Sequence, residues 1–213
     1  MQLFLIRHAQ SQNNALPEAQ RVEDPPITEI GHQQAERLAA VLPELELTHL
    51  ITSPFRRTLQ TTEHLRQATN LVPHVRPELH ELGGCMRGPS VAEMVGAPGM
   101  NREEILAEFI DYQVCESIDG SGWWGGKPYE LLAEAQLRAE KLLTRTREEF
   151  GETDARVAYV MHADFKRIFL EQFSIVRQTP WNASLTHVSI TPDEVRVEDY
   201  NNIDHLPAEL HTA

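Results

Sequence analysis

Cysteine is scarce in this chain. Cys85 and Cys115 are the only two among 213 residues and form no CxxC pair. That excludes a zinc knuckle, a dithiol redox motif and a disulfide framework. Long apolar runs are missing too: Leu3–Ile6 gives four apolar residues before Arg7, and nothing approaches the length of a membrane span. The N-terminus lacks the shape of a secretory leader, so a cytoplasmic protein with reduced thiols is expected. Positive charge is also short, with 19 Lys and Arg against 32 Asp and Glu, a net charge of −13. General binding to nucleic acid or an anionic membrane needs the opposite surplus. A few arginines can still build a locally positive pocket for a small anion. No His-x-x-x-His pair or carboxylate cluster stands at metal-ligand spacing, so no metal and no cofactor are expected.

What is present is an ordinary globular balance, 41% hydrophobic and 24% charged, ample for a buried core. Leu3-Phe4-Leu5-Ile6 reads as a strand buried on both faces. Leu50-Ile51 and Val157–Met161 read the same way. Between them lie helical patterns. Ala35, Leu38, Ala39 and Leu42 share a face after Thr28, and Pro43 stops that run. Ser53-Pro54 has N-cap and first-turn chemistry for a second helix. Leu131, Ala135, Ala139, Leu142 and Leu143 mark a third, ending near Gly151. A fourth carries Phe165, Ile168, Phe169 and Phe173. Thr186–Ile190 and Val195–Val197 alternate around Thr191–Glu194 as a hairpin. The pattern predicts an α/β fold: a three-layer α/β/α sandwich with a mostly parallel central sheet. One domain over 1–213 is expected, with a lid-like insertion at 84–128. That insertion is rich in Gly and Pro and weakly patterned, apart from a helix near Asn101–Tyr112, and long insertions of this kind are usually functional.

Ligand sites in open α/β sheets lie beyond the carboxyl ends of the strands. There the first strand delivers Arg7-His8, the second leads to Arg56-Arg57, and the third delivers His162. A lone strand-end histidine is usually structural. Two histidines and several arginines converging from separate segments make a different case. Guanidinium groups bind a phosphate dianion bidentately, and a neutral imidazole can attack phosphorus. A second imidazole, protonated, can stabilise the charge that builds up, and the helix after His162 can add N–H groups to the same anion.

Taken together, the motifs resemble the histidine phosphatase (phosphoglycerate-mutase-like) superfamily. They are Arg7-His8-Ala9-Gln10-Ser11 with Asn14, Thr28–Ala35, Ser53–Thr61, Leu79-His80-Glu81, Val160–Ala163 and Asn201–Leu206. They appear in the family order along the whole chain. The resemblance implies that His8 is the nucleophile and that Arg7, Arg57 and His162 grip the phosphoryl group. Arg57 is selected over Arg56 because the arginine falls three residues before Gln60. Asn14 and the main chain at Ala163 match further phosphate contacts, and Glu81 matches the general acid. Ala9 and Ala163 stand where glycine is usual, and Gln10 replaces a frequent glutamate.

The resemblance implies a phosphatase acting on a small phosphate monoester through a phosphohistidine intermediate. The alternatives are phosphoglycerate mutase activity and a non-catalytic phosphate-binding module. Mutases carry a lysine and an arginine pair in the loop after the acid. Here Val91–Gln113 has only Arg102, with Arg87 and Lys127 flanking it, so hydrolysis is favoured. Met86, Trp123, Trp124 and Tyr129 are candidates to cover the leaving group, although burial is the commoner role of a Trp pair. The expected partner is a small phosphorylated substrate, with no nucleic acid and no membrane. The oligomeric state is left open, a homodimer being one option.

Overall fold

The computed structural model describes residues 1–88, 93–174, 178–192 and 194–213. Its centre is a seven-stranded sheet of β1 (Gln2–Arg7), β2 (His49–Thr52), β3 (Pro73–Val75), β6 (Gln113–Val114), β7 (Arg156–Met161), β8 (Leu185–Ile190) and β9 (Val195–Asn202). The spatial order is β6-β3-β2-β7-β1-β8-β9. The five strands from β6 to β1 run parallel, while β8 and β9 return antiparallel as the expected hairpin. Asp193, in the turn of that hairpin, lies outside the described residues.

Central strands are apolar because both their faces are covered. On one face Leu3, Leu5, Val157, Tyr159 and Met161 pack against α5 (Leu132–Phe150) and α6 (Ala163–Glu171). On the other, Phe4, Ile6, Leu50, Ala158 and Val160 meet α2 (Glu29–Val41) and Leu65 of α3 (Arg56–Thr69). The α/β/α layering follows from that alternation. Two short helices, α1 (Gln12–Ala15) and α4 (Arg102–Glu108), complete the six among the described residues.

The start of α2 is fixed by local chemistry. The Thr28 hydroxyl accepts from the Gly31 amide at 3.0 Å, a cap worth about 0.5–2 kcal/mol. A Cβ on Gly31 would stand 2.2 Å from the carbonyl oxygen of Gln10, so only glycine lets this helix approach the loop after β1.

Four expectations need correction. The helix expected to open at Ser53 begins at Arg56, with Phe55 in the cap position; the Ser53 hydroxyl is engaged by His162 instead. Leu131 precedes α5 and is exposed, so the buried face of that helix starts at Ala135. Phe173 lies beyond the end of α6. The helix expected near 101–112 ends at Glu108.

The remainder of the 84–128 segment is more ordered than its composition suggests. It contributes edge strand β6 and a two-stranded ribbon, β4 (Met86–Arg87) with β5 (Val95–Gly96). Phe109, Tyr112, Ile118, Trp123 and Trp124 form a third core cluster with Phe55 and Leu59 of the α3 region. Residues 89–92 of the insertion lie outside the description.

Candidate active site

Parallel register sets the site. Arg7 pairs with Met161, and Thr52 pairs with Val160. The three strands therefore end level. Their ladders continue one residue further, with His8 N–H donating to the Met161 carbonyl at 2.9 Å and Ser53 N–H to the Val160 carbonyl at 3.0 Å. His8, Ser53 and His162 consequently emerge side by side. The His8 and His162 rings stand 5.2 Å apart, edge to face.

The hydrogen bonds determine the state of each ring. Nδ1 of His8 lies 2.7 Å from the Ala9 carbonyl oxygen, which can only accept, so Nδ1 carries the proton. Nε2 is left with its lone pair, toward which Arg57 Nε donates at 3.2 Å. Burial, with Arg57 and Arg7 alongside, holds the His8 pKa well below the usual imidazole value. The ring is therefore neutral, with its Nε2 lone pair directed at Arg57. The loop is held by the Thr61 hydroxyl, which accepts from Ala9 N–H at 3.1 Å. Asn182 fixes it from the other side by donating to the His8 carbonyl at 3.2 Å.

His162 is read as the same Nδ1–H tautomer, but it is Nδ1 rather than Nε2 that is left unengaged. The Ser53 hydroxyl lies 2.8 Å from Nε2 and accepts from Phe55 N–H at 3.4 Å; we assign its own proton to the ring, which puts the imidazole hydrogen on Nδ1. Nδ1–H is then a buried donor with no partner. A protonated His162 was expected. Burial and Arg57 push its pKa down instead, yet the neutral ring still offers Nδ1–H to an anion.

Arg7 is pinned by Nη1 donating to the Pro180 carbonyl at 2.5 Å, and its Nε is likewise buried without a partner. Burial lowers its pKa to about 10, which leaves it charged at neutral pH. Arg57 is buried, with its guanidinium 4.0 Å above the Phe55 ring. Desolvation lowers its pKa, against the opposing pull of Asp24 and Glu81.

Glu81 also reaches this edge, where its carboxylate caps α6. It accepts from Phe165 N–H at 2.9 Å, Asp164 N–H at 3.4 Å and Leu82 N–H at 2.9 Å. Two of the α6 amides expected to meet the anion are thus taken by Glu81. Desolvation, then the nearby Asp164, raises the Glu81 pKa despite Arg57 and the amide bonds, the direction a proton donor requires. Asn14 sits in α1 with Oδ1 accepting from Ser11 N–H at 3.0 Å, the Ser11 hydroxyl at 2.9 Å and Asn182 Nδ2 at 3.3 Å. Ala163 opens α6 directly after His162.

Sequence reasoning passed over three supporting groups: Ser53 as the orienter of His162, Asn182 and Arg138. The Arg138 guanidinium grips the Glu130 carboxylate with two bonds of 2.8 and 2.6 Å. It also donates to the carbonyls of Glu78 and His80, so it ties α5 to the segment bearing Glu81. The aromatic candidates divide. Trp123 and Trp124 are buried, packed around His80 at 5.6 and 5.0 Å, and Tyr129 is exposed, with its ring against Gly83. Among the described residues, no three His, Cys, Asp or Glu side chains gather as a metal ion would require. Among the same residues, no helix is long and apolar enough to cross a membrane.

Two imidazoles and two guanidiniums crowd the carboxyl edge of an open α/β sheet, where such sheets place their ligand sites. The histidine phosphatase superfamily (branch 1) model matches residues 3–203, and the chain belongs to that superfamily. A probable phosphoglycerate mutase, GpmB, of Escherichia fergusonii is 39% identical over 82 residues, 38% of each chain, so the match spans well under half of that relative. The fold is similar to a mycobacterial glucosyl-3-phosphoglycerate phosphatase in complex with VO3 (TM-score 0.65, 20% identity, 95% of this chain and 99% of that one). It is also similar to Bacillus stearothermophilus YhfR (TM-score 0.66, 19% identity, 96% and 98%).

Proposed function

We propose that this chain is a metal-independent phosphatase that hydrolyses a small phosphate monoester through a phosphohistidine on His8. The carrying observation is the Nε2 lone pair of His8, which accepts only from Arg57, together with two buried nitrogens that have no partner among the described residues, Arg7 Nε and His162 Nδ1. A phosphoryl group in that gap would satisfy all of them. Nε2 attacks phosphorus, the bond from phosphorus to the ester oxygen breaks, and the proton of Glu81 passes to the departing alcohol. Water then attacks the phosphohistidine, giving up its proton to Glu81 and restoring His8. Asn14 and the main chain at Ala163 complete the phosphate cradle. The chain acts as one domain over 1–213, and its setting is cytoplasmic.

Mutase transfer is the second reading, favoured by the name of the GpmB relatives. A mutase must hold a second anionic group. Arg102, the cation within the 91–113 stretch, donates to the carbonyls of Val114 and Cys115, while Arg87 is exposed. Neither supports a second anion, and hydrolysis is the better reading.

The test is phosphate release from an aryl phosphate with chelator present. Activity that resists chelator and disappears in His8→Ala is expected. Activity that survives His8→Ala would rule out the nucleophile, and isomer exchange of phosphoglycerates without free phosphate would replace hydrolysis with transfer.

A further inference from the structure

A cavity of about 910 Å³ is lined by Arg56, Asp24 and Cys85, the last two close enough to act electrostatically on Arg57, and none of the groups assigned to the phosphoryl chemistry lines it. Its wall joins the loop before α2, the first turn of α3 and the 84–128 segment, through Asp24, Arg56, Cys85, Met100 and Glu104 among others. The size suits a small-molecule ligand. Asp24 links this space to the phosphoryl site. Oδ1 accepts from Arg56 N–H at 2.8 Å, which accounts for half of the carboxylate as a helix cap. Oδ2 is buried with no hydrogen-bond partner among the described residues. A buried acceptor left unpaired is unfavourable unless something donates to it. Burial lifts the Asp24 pKa to about 6 against the pull of Arg57 and the bond from Arg56, so the group is mostly ionised at neutral pH.

Arg57 is the buried countercharge behind Asp24, but the lining of the cavity itself is predominantly acidic. Glu23, Asp24, Glu104 and Glu108 line the cavity with a single guanidinium, Arg56, which is already paired with Glu108. A leaving group bearing a carboxylate or a second phosphate would meet repulsion here, and one bearing N–H donors and positive charge would meet complementarity.

We propose that this cavity receives the leaving alcohol of the substrate, and that Asp24 selects phosphate monoesters whose alcohol carries an ammonium group over those carrying a second anion. The inference rests on the phosphatase reading above and narrows its substrate class.

The test uses ω-substituted alkyl phosphates of increasing chain length, ending in ammonium, hydroxyl or carboxylate. kcat/KM is measured for each with the full chain. At the chain length that reaches Asp24, the expected order is ammonium, hydroxyl, carboxylate, with the ammonium ester ahead of the carboxylate by about tenfold or more, as charge-assisted bonds to a buried carboxylate imply. In Asp24→Asn, which keeps an Oδ1 acceptor for Arg56, the ammonium-to-hydroxyl ratio should fall toward one. The ratio is read on one preparation, so partial misfolding cancels, and the wild-type order stands without the variant. A flat or reversed wild-type order, with aryl phosphate hydrolysis intact, overturns this inference alone. So does a ratio unchanged in Asp24→Asn. Loss of the His8-dependent aryl phosphatase activity overturns the underlying reading as well.

Discussion

Replacing Glu81 by Gln separates proton donation from most of what the side chain does, the exception being the long Asp164 N–H bond to Oε2. Glutamine keeps an amide oxygen where the carboxylate now accepts from Leu82 and Phe165, so the cap on α6 survives. What is lost in the fold is a partial charge at a helix N-terminus, worth about 0.3–1 kcal/mol. What is lost in the reaction is a general acid, typically about 10²–10⁴-fold in rate, or about 3–5 kcal/mol at 1.36 kcal/mol per decade. The activity effect therefore outweighs the stability effect several times over. The loss must also depend on the leaving group. An alkyl alkoxide is strongly basic and cannot depart unprotonated, whereas a phenolate bearing electron-withdrawing groups can.

The assay is kcat/KM for an alkyl and an activated aryl phosphate, in wild type and Glu81→Gln. The alkyl ester should lose about 10²–10⁴-fold, and the aryl ester should lose little. An equal loss on both esters would make Glu81 a positioning group, and no loss on either would remove it from the reaction. The pH dependence supplies a second handle. The rate requires neutral His8 and protonated Glu81. His8 is depressed below the usual imidazole value and Glu81 raised above the usual carboxylate value. Lowering the pH through the ordinary histidine range should leave His8 competent, and raising it should cost activity as Glu81 ionises. Because the substrate phosphate titrates as well, with a second pKa of about 6, the wild-type profile is divided by that of Glu81→Gln, which leaves the alkaline fall that belongs to Glu81.

Other perturbations address the supports. Ser53→Ala removes the hydroxyl that sets the His162 tautomer; an unmade buried hydrogen bond of about 1–3 kcal/mol should appear as a drop of roughly 10- to 100-fold in kcat/KM, and an unchanged value would sever Ser53 from the site. Arg138→Met strands the buried Glu130 carboxylate and should lower unfolding free energy by about 3–5 kcal/mol; denaturant melts check it, and a shift below 1 kcal/mol would contradict the ion-pair assignment. Lys166→Met tests the opposite sign. Its ammonium is fully buried, pushed far below its usual pKa by burial and then Arg7, and bonded only weakly to Ser184. Since the Ser184 carbonyl already accepts from Arg7 N–H, the apolar isostere should hold or raise Tm. A marked fall would show the lysine to be a structural tie.

How much of this was legible in the sequence follows from the range over which each constraint acts. Arg7, His8 and His162 were found because they are covalently next to apolar strands, and period-two burial plus parallel register carries them to one edge. The family motif, not a local pattern, selects Arg57 over Arg56, and the helix begins later than its cap chemistry suggests: His162, more than a hundred residues away, captures the Ser53 hydroxyl. Asn182, Arg138 and the Glu81 cap are pairings of the same long-range kind. No local pattern announces them, and Glu81, like Arg57, is pointed to by the family motif. The 84–128 segment hid its order for another reason. Its contacts run to Phe55 and Leu59 and along the β3 edge rather than along itself, so helical and strand periods never emerge. The signal that was available is its aromatic load, Phe109, Tyr112, Trp123 and Trp124, which water would not leave exposed. The same division separates chemistry from specificity. Groups that handle phosphorus sit on strand ends and can be read from the chain. The wall around the leaving group is assembled from loops and helix starts that meet only in the fold, so Asp24 becomes visible as a recognition group through its unpaired oxygen and not through any motif.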